Sequence, residues 1–383
     1  MPKLTFRLQP LAVALSCLMG CLDPYPAPVS QSDLNLLVVD GFINASDQSA
    51  NVRLTAALPL DTVAVPEVID DARVFIERND GAIVHLTGTG KGNYVTSSAT
   101  WDMNAEYRLN ITLASGENYR SDFITLIHTP NIDSIIFRED KNALGFYVNT
   151  HEPSGNGRYY KWDYDETWEH TSSFVSFYKL IGGEAIERSI DERIYICWSS
   201  LPSANILIYN TLNLSDDLVS NFKLSSVPAG SERLSRRYSI NVKQRTLSKA
   251  EYEFWSKLRE TTEELGGLFD PMPYAVTGNI HGENNDNVVL GYFGGGEVKE
   301  QRIFVGLNDL PRNIANQTMR APCLPDEIQS VPLANLRVMS PVTTILLEPI
   351  YVQGVGIVGY TFSHPSCADC RTQGGTTTIP DFW

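Results

Sequence analysis

The chain has 383 residues, of which 30 are Lys or Arg and 45 are Asp or Glu, so its formal net charge is −15 at pH 7. An acidic surface of this kind repels phosphate backbones, which argues against a nucleic-acid partner. The length exceeds what one ordinary hydrophobic core accommodates, so we predict two domains.

The first twenty residues have the pattern of a bacterial signal peptide. Lys3 and Arg7 precede an apolar run, Leu11 to Gly20, that is too short to span a bilayer as a mature helix. The run ends in Leu18-Met19-Gly20-Cys21, which resembles a lipobox whose cysteine is lipidated and becomes the mature N-terminus. We therefore predict that residues 1–20 are removed and that an acylated Cys21 inserts into membrane lipid. An ordinary secretory signal followed by a chance cysteine is the alternative.

Residues 21–34 follow as a proline-rich tether that contains Pro24, Pro26 and Pro28. Cleavage after Gly20 would leave 28 basic and 45 acidic side chains and a net charge of −17. No later segment has about 18 uninterrupted apolar residues, so the lipid is the only membrane attachment that we predict.

Residues 35–128 alternate short apolar runs with turn signals such as Asn79-Asp80-Gly81 and Ser115-Gly116-Glu117-Asn118. Short strands at this near-regular spacing are typical of an immunoglobulin-like or transthyretin-like β-sandwich. Pro130, which follows His128-Thr129, marks the predicted end of this first domain. The predicted strands are Leu36–Val39, Val52–Ala56, Ala72–Ile76, Ala82–Leu86, Tyr94-Val95, Tyr107–Leu113 and Phe123-Ile124.

The second predicted domain, residues 129–383, is also β-rich, and one of its strands carries large aromatic side chains on one face. We expect this face to be buried against a second sheet. The alternative is a platform formed by Trp162, Tyr164 and Trp168 that stacks on a peptide or glycan ligand. The aromatic face consists of Tyr160, Trp162, Tyr164 and Trp168 together with Glu166, and these alternate with Lys161, Asp163, Asp165 and Thr167.

Two carboxylates of this strand, Asp163 and Asp165, share a face at a separation of about 7 Å. That spacing is compatible with paired-carboxylate catalysis or with calcium. Alternation on a solvated strand face explains the pair equally simply, and we favour this interpretation.

A single strong helix is predicted at about 248–265. Ser248 and Glu251 have the spacing of a capping box, and Gly266-Gly267 supplies a C-terminal stop. We expect its apolar stripe to pack on the strand Tyr238–Gln244, whose apolar residues alternate. The stripe consists of Tyr252, Trp255, Leu258, Thr262 and Leu265.

Four cysteines remain in the mature chain: Cys197, Cys323, Cys367 and Cys370. The close pair near His364 fits a zinc site, a redox centre or disulfides. Export to an oxidising compartment favours disulfides. A zinc site is disfavoured because the chain has no second close pair of cysteines to complete it. A redox centre is disfavoured because the sequence predicts no helix after the pair. Four cysteines allow three pairings. We prefer the pairing in which Cys367 and Cys370 bond separately to the two distant cysteines, with Phe382-Trp383 as an apolar anchor beside them.

Ten segments together carry a family resemblance: Leu37–Ile43, Cys197-Trp198, Tyr238–Gln244, Leu247–Trp255, Gly267–Pro271, Gly278–Ile280, Leu290–Phe293, Cys370-Arg371, Gly374-Gly375 and Pro380–Trp383. They resemble the Bacteroidota lipoprotein family catalogued as domain of unknown function 4249. The resemblance implies an outer-membrane lipoprotein of β-rich architecture, often encoded beside TonB-dependent receptors, without established catalytic residues. It leaves open which side of the outer membrane the protein faces, because Asp23 is a lone acid near Cys21.

Catalytic motifs are not visible, since the chain has neither Gly-x-Ser-x-Gly nor His-Glu-x-x-His. We predict no cofactor and no metal. The preferred function is a non-enzymatic binding or accessory lipoprotein that works with a TonB-dependent transporter in nutrient capture. The alternatives are a surface hydrolase of glycans or peptides, with Asp163, Asp165 or Glu166 as its carboxylates, and a structural or adhesion component. Short tripeptides also leave open whether Thr62 or Ser134 is glycosylated.

Overall fold

The computed structural model describes residues 36–57, 66–155, 157–263, 276–283, 288–317 and 323–383. The predicted signal peptide, Cys21, the tether, Thr62 and Gly266-Gly267 lie outside these ranges. The described residues confirm a mainly β fold. Its strands are β1 (Leu37–Asn44), β2 (Ser49–Ala56), β3 (Arg73–Arg78), β4 (Ile83–His85), β5 (Thr87–Gly90), β6 (Asn93–Thr96), β7 (Glu106–Thr112), β8 (Asn118–Ser121), β9 (Ile124–Thr125), β10 (Ile132–Glu139), β11 (Ala143–His151), β12 (Tyr159–Thr171), β13 (Tyr178–Ile181), β14 (Glu184–Glu187), β15 (Ile196–Pro202), β16 (Leu207–Asn210), β17 (Leu218–Pro228), β18 (Arg237–Thr246), β19 (Ile280–Gly282), β20 (Leu290–Gly296), β21 (Lys299–Gly306), β22 (Gln329–Pro332), β23 (Ile345–Val352) and β24 (Gly356–Ser363).

Helices are few and short apart from the one that the sequence predicts. Among the described residues, no helix is both long and apolar enough to cross a membrane. The α-helices are α1 (Lys249–Thr262), α2 (Arg312–Ala315) and α3 (Pro365–Ala368), and the 3₁₀ turns are Ile190–Glu192, Glu232–Leu234, Leu307–Asp309, Pro325–Glu327, Leu333–Val338 and Cys370–Gln373.

The first sandwich consists of two sheets with strand orders β20-β1-β2-β6-β5 and β19-β8-β7-β3-β4, and β9 pairs with β7. Alternation places one face of each strand in the core, as in β1, where Val39 and Ile43 are completely buried. The sandwich prediction is therefore confirmed. The sequence reading missed β8, because turn residues precede it directly.

The predicted boundary of the first domain at residue 128 is wrong in one respect. Strand β20 pairs in parallel with β1, and β19 pairs with β8, so residues 280–296 complete both sheets of the first sandwich. At Gly291 the backbone has a φ of 106°, and a Cβ there would lie 1.8 Å from the carbonyl oxygen of Val39. The pairing therefore requires glycine at this position. A parallel partner must come from elsewhere in the chain, because no tight turn can supply one.

The second sandwich packs the sheet β10-β11-β17 against the sheet β15-β12-β18-β21, with β16 paired to β12. Its core includes Phe146, stacked at 5.1 Å on Tyr238, and the fully buried Trp162. Thr129 joins the two sandwiches, since its hydroxyl donates to the carbonyl of Glu297 and accepts from the amide of Thr246.

Helix α1 begins as predicted, with the Ser248 hydroxyl accepting from the amide of Glu251 at 3.1 Å. The prediction that it packs on β18 is wrong, because the apolar residues of β18 already face the core of the second sandwich. The helix lies instead against β12, β16 and β20, and it contacts β18 at the side chain of Arg245. Its most buried apolar side chain is Phe254, 5.2 Å from the ring of Tyr292 and absent from the predicted stripe.

A C-terminal module follows, which we define as β13, β14 and residues 323–383. It contains the β13-β14 hairpin and the sheet β22-β24-β23, around two small cores. Two disulfides, Cys197–Cys370 and Cys323–Cys367, connect it internally and to β15, and they form the pairing that we preferred. The ring of Trp383 lies 5.6 Å from Phe304 and 6.5 Å from Trp198, so the end of the chain packs beside the first disulfide.

Candidate ligand-binding cleft

The aromatic strand does not present a platform to solvent at its centre. Trp162 is completely buried, stacks at 4.6 Å on Phe222, and donates its indole N–H to the side-chain oxygen of Gln244 at 2.8 Å. The interpretation of Trp162 as a ligand-facing residue is therefore wrong. Tyr164 and Trp168 are half-buried and pack against the same core.

Three carboxylates of β12 each have their own cationic partner. Asp163 accepts from Lys161 at 2.5 Å, and Asp165 lies 2.8 Å from the ammonium of Lys243. Glu166 points to the opposite face of the strand, where it is buried and bonds to Arg233 at 2.7 Å. The three carboxylates are therefore not a convergent catalytic group.

The cysteine sulfurs are bonded to one another. Cys323, Glu327 and Cys367 are the one group of potential metal ligands found close together among the described residues, but both thiols are oxidised in the disulfide. His364 caps α3 by accepting from the amide of Ser366 at 3.3 Å. The histidine near the close cysteine pair therefore has a local structural role.

A cleft of about 390 Å³ opens between helix α1 and the first sandwich. Its volume lies in the usual range for small-ligand sites. Three distant parts of the chain line it: residues 122–127, residues 248–257, and residues 277–279 together with 292–295. The cleft can form only because β19 and β20 return to the first sandwich and bring the third stretch beside the other two.

Aromatic rings and charged groups surround the cleft. The apolar part is formed by Phe254 and Tyr292 together with Phe123, whose ring is 41% exposed and has the guanidinium of Arg108 at 4.7 Å. The charged groups that line it are Asp122, Glu251, Glu253 and Lys257. This combination suits a ligand with both apolar and polar groups.

Two features of β19 and β20 determine the shape of the cleft. Asn279 donates from its amide nitrogen to the carbonyl of Phe293 and accepts from the amide of Phe293, both at 2.9 Å, so it holds residues 277–279 against β20. A Cβ on Gly294 would lie 2.9 Å from the carboxylate of Glu251. Glycine therefore lets the helix approach the strand closely.

Glu251 connects the cleft to a buried charged cluster. Its carboxylate accepts from the indole N–H of Trp255 at 3.2 Å and lies 3.7 Å from the guanidinium of Arg245. Lys161, which is 5% exposed, lies 4.8 Å from the ring of Trp255. The guanidinium of Arg245 also lies 4.6 Å from the ring of Phe42 in β1, so the cluster joins the two sandwiches.

Burial shifts the pKa values of two groups of this cluster in the direction that favours the uncharged form of each group. Burial raises the pKa of Glu251, and the nearby Arg245 only partly opposes this effect. Burial also lowers the pKa of Lys161, and the charge of Arg245 lowers it further, while Asp163 acts in the opposite direction. The cluster therefore holds α1 in place through buried charges, and each of these charges would be costly without its partners.

The polar groups that line the cleft are suited to hydrogen bonding with a ligand. Among the described residues that line it there is neither His nor Cys, and the hydroxyl of Ser248 accepts from the helix backbone. An arrangement of this kind can bind a ligand through aromatic contact and hydrogen bonds.

Sequence reasoning did not assign any of these lining residues to a site. The signals that could have suggested the cleft are Gly294-Gly295-Gly296 within a strand and the buried Asn279. Three segments that carried the family resemblance, Leu247–Trp255, Gly278–Ile280 and Leu290–Phe293, do contribute residues to the cleft.

The family model described as "Domain of unknown function (DUF4249)" matches residues 22–302. The chain belongs to this family. The C-terminal segments of the resemblance, from Cys370 onward, lie beyond the matched residues. No curated protein matches the DUF4249 chain.

Two solved structures have low similarity to the DUF4249 chain. A two-domain fibronectin type III segment from chicken tenascin is 13% identical, with a TM-score of 0.15, and the match covers 55% of this chain and 89% of that one. A putative carbohydrate-binding protein from Bacteroides uniformis is 8% identical, with a TM-score of 0.13 and the same two coverages. TM-scores this low carry no argument about fold or ligand.

Proposed function

We propose that this DUF4249 protein is a non-enzymatic binding lipoprotein of the outer membrane, anchored through Cys21, that works with a TonB-dependent transporter in nutrient capture. The observation that carries the proposal is the cleft between α1 and the first sandwich. It has the volume and the mixed apolar and polar lining of a binding site. Its ligand is a peptide or a glycan.

The position of the cleft supports a binding function further. Helix α1 belongs to the second sandwich by sequence, whereas β9, β19 and β20 belong to the first. A ligand in the cleft would contact both sandwiches, so its binding would stabilise one arrangement of the two units over others. A transporter could recognise that arrangement.

The hydrolase alternative has less support. Each of its named carboxylates is paired with a cation, and Glu166 is 3% exposed. Alanine substitutions at Asp163 and Asp165 that abolished hydrolysis of a glycan or peptide by the purified protein would restore this alternative.

Ligand binding is tested by filling the cleft. Ala250 is exposed at the start of α1 and lines the cleft, so Ala250→Trp should abolish binding of peptides or oligosaccharides found by calorimetric screening. Glu260→Trp is the matched control, because it places the same side chain on an exposed position of the same helix outside the lining. Equal affinities of the two variants would exclude the cleft as the binding site.

The transporter partnership is tested separately. An epitope-tagged chain, purified from membranes in several mild detergents, should bring a TonB-dependent receptor with it in stoichiometric amount. Recovery of the lipoprotein alone in every detergent would contradict the partnership without affecting the assignment of the cleft.

A further inference from the structure

The turn between β23 and β24 carries large apolar side chains that the rest of the C-terminal module does not cover. We call residues 351–356 the hairpin tip. Tyr351 is 68% exposed, Val352 is 46% exposed and Val355 is 72% exposed. Their cumulative exposure is unusual, since apolar side chains in water are normally scattered singly over a surface.

The chain around the hairpin tip is almost free of charge. Residues 328–368 contain only two residues that are charged at neutral pH, Arg337 and Glu348, whereas Asp, Glu, Lys and Arg make up 20% of the whole chain. From Pro349 to Ala368 there is none. A surface with few charges is costly in water and suits an apolar environment.

The tip projects beyond the sheet that holds it. Strand β22 pairs with β24 only at residues 359–362, and beyond these residues β23 and β24 pair mainly with each other. Ile357 packs against the core of the module and anchors the base of the tip. Nothing lies within 4 Å of a Cβ built on Gly354 or Gly356, so there is open space beside both glycines of the turn.

Both faces of the hairpin are apolar at its end. Tyr351 and Val352 are consecutive strand residues, so they point to opposite faces, and both are exposed. A patch that docks on a protein needs one face only. A convex tip that is apolar on both faces is suited to an environment that surrounds it.

We propose that the hairpin tip inserts into the interfacial region of a lipid bilayer. Glu348, the nearest charged residue along the sequence, lies four residues before Val352, which corresponds to about 13 Å of extended strand. An insertion of about 5 to 10 Å therefore leaves this charge in water. Tyr351 has the apolar ring and polar hydroxyl that suit the boundary between headgroups and acyl chains.

A bilayer explains the absence of charge better than a protein partner does. Charged side chains are strongly unfavourable at membrane depth, whereas charged groups commonly rim the contact surface of a protein partner. Pairing of β23 with a second copy of the chain is also disfavoured, because Pro349 interrupts its hydrogen-bonding edge. The inference does not depend on the proposed ligand or transporter.

Vesicle flotation tests the insertion. The mature chain carrying Cys21→Ser, which has no acyl group, should float with phosphatidylcholine vesicles, and 1 M salt should not release it, because the contact is apolar. The triple variant Tyr351→Ser, Val352→Ser, Val355→Ser should lose at least tenfold in its bound-to-free ratio. Ile83→Ser, Leu212→Ser, Ile379→Ser is the matched control, because its exposed apolar residues lie outside residues 328–368. Its ratio should change less than twofold.

A second measurement detects insertion of the tip directly and does not require a variant that has lost vesicle binding. Tyr351→Trp should give fluorescence that brominated phosphatidylcholine quenches, whereas Ile83→Trp should give no added quenching over the parent chain. Failure of the parent chain to float, or equal flotation of the two triple variants, overturns the proposal. Absence of flotation combined with loss of receptor capture in the tip variant would assign the tip to a protein partner instead.

Discussion

The two sandwiches and the C-terminal module are stabilised in different ways. Among the described residues, the core of the first sandwich contains 21 buried apolar residues and that of the second contains 16, whereas the two cores of the module contain five and four. Both disulfides lie in or at the module. A small core stabilises a unit weakly, and covalent links compensate by restricting the unfolded chain. The module therefore depends less on apolar burial than a sandwich does, so some of its apolar side chains can remain exposed.

The largest expected effect is in a sandwich. Trp162→Ala should lower the free energy of unfolding by about 3 to 5 kcal/mol, because it leaves a large cavity in the core of the second sandwich and removes the donor to the side-chain oxygen of Gln244. Denaturant titration followed by circular dichroism measures the change. A loss below about 1 kcal/mol would mean that this core is not the main source of stability.

The disulfides come next. Replacing Cys197 and Cys370 by Ser opens a link between residues 173 positions apart, and the same change at Cys323 and Cys367 opens one of 44. Chain entropy sets upper limits of about 5 kcal/mol for the first pair and about 4 kcal/mol for the second, and we expect measured losses of about 2 to 4 kcal/mol.

Limited proteolysis shows which region of the chain loses protection from cleavage when a disulfide is removed. Without Cys197–Cys370, cleavage should begin in residues 323–383 while the first sandwich stays protected. Simultaneous loss of protection in both regions would show that the module and the sandwiches unfold as one unit.

Trp255→Ala should have a smaller effect, about 1 to 3 kcal/mol, because this side chain is half-buried between α1 and the charged cluster. Phe254→Ala, in the same helix but buried, is the comparison and should cost more. A larger loss at Trp255 than at Phe254 would show that the charged cluster, rather than apolar burial, holds the helix.

The smallest effect concerns pH. Because the folded-state pKa of Glu251 is raised, its contribution to stability is fully present below its unfolded-state pKa and is lost as pH rises through the folded-state value. Glu251→Gln should therefore gain stability relative to the parent chain between about pH 4 and pH 8. Glu260→Gln, at an exposed position, should show no such trend. Urea titrations at both pH values measure the difference, and a trend of opposite sign would show that Arg245 outweighs the cost of burial.

Local patterns predicted much of the fold. Alternation identified most strands of the first sandwich and the buried aromatic face that contains Trp162, and a cap residue identified the start of α1. Oxidation of the four cysteines followed from the predicted export. These features depend on neighbouring residues or on chemistry that a sequence displays directly.

Long-range pairing was not predictable in the same way. Nothing near β1 indicates that β20, some 250 residues later, lies beside it, since hydrogen bonds between backbones leave no mark on residue types. The cleft was missed for the same reason, as three distant stretches line it. The side chain of Glu251 also departed from the capping-box expectation, because Trp255 and Arg245 attract its carboxylate into the interior.

The late return of β20 has a consequence for how the chain folds as it emerges. Until about residue 296 has been synthesised, the edge of β1 opposite β2 has no partner, so the first sandwich is completed late although most of its strands are made first. An unpaired strand edge is a template for aggregation, so the nascent chain is exposed to aggregation until β20 has been made. A truncation at residue 128 would make that exposure permanent, so we expect such a fragment to aggregate even though most strands of its sheets are present.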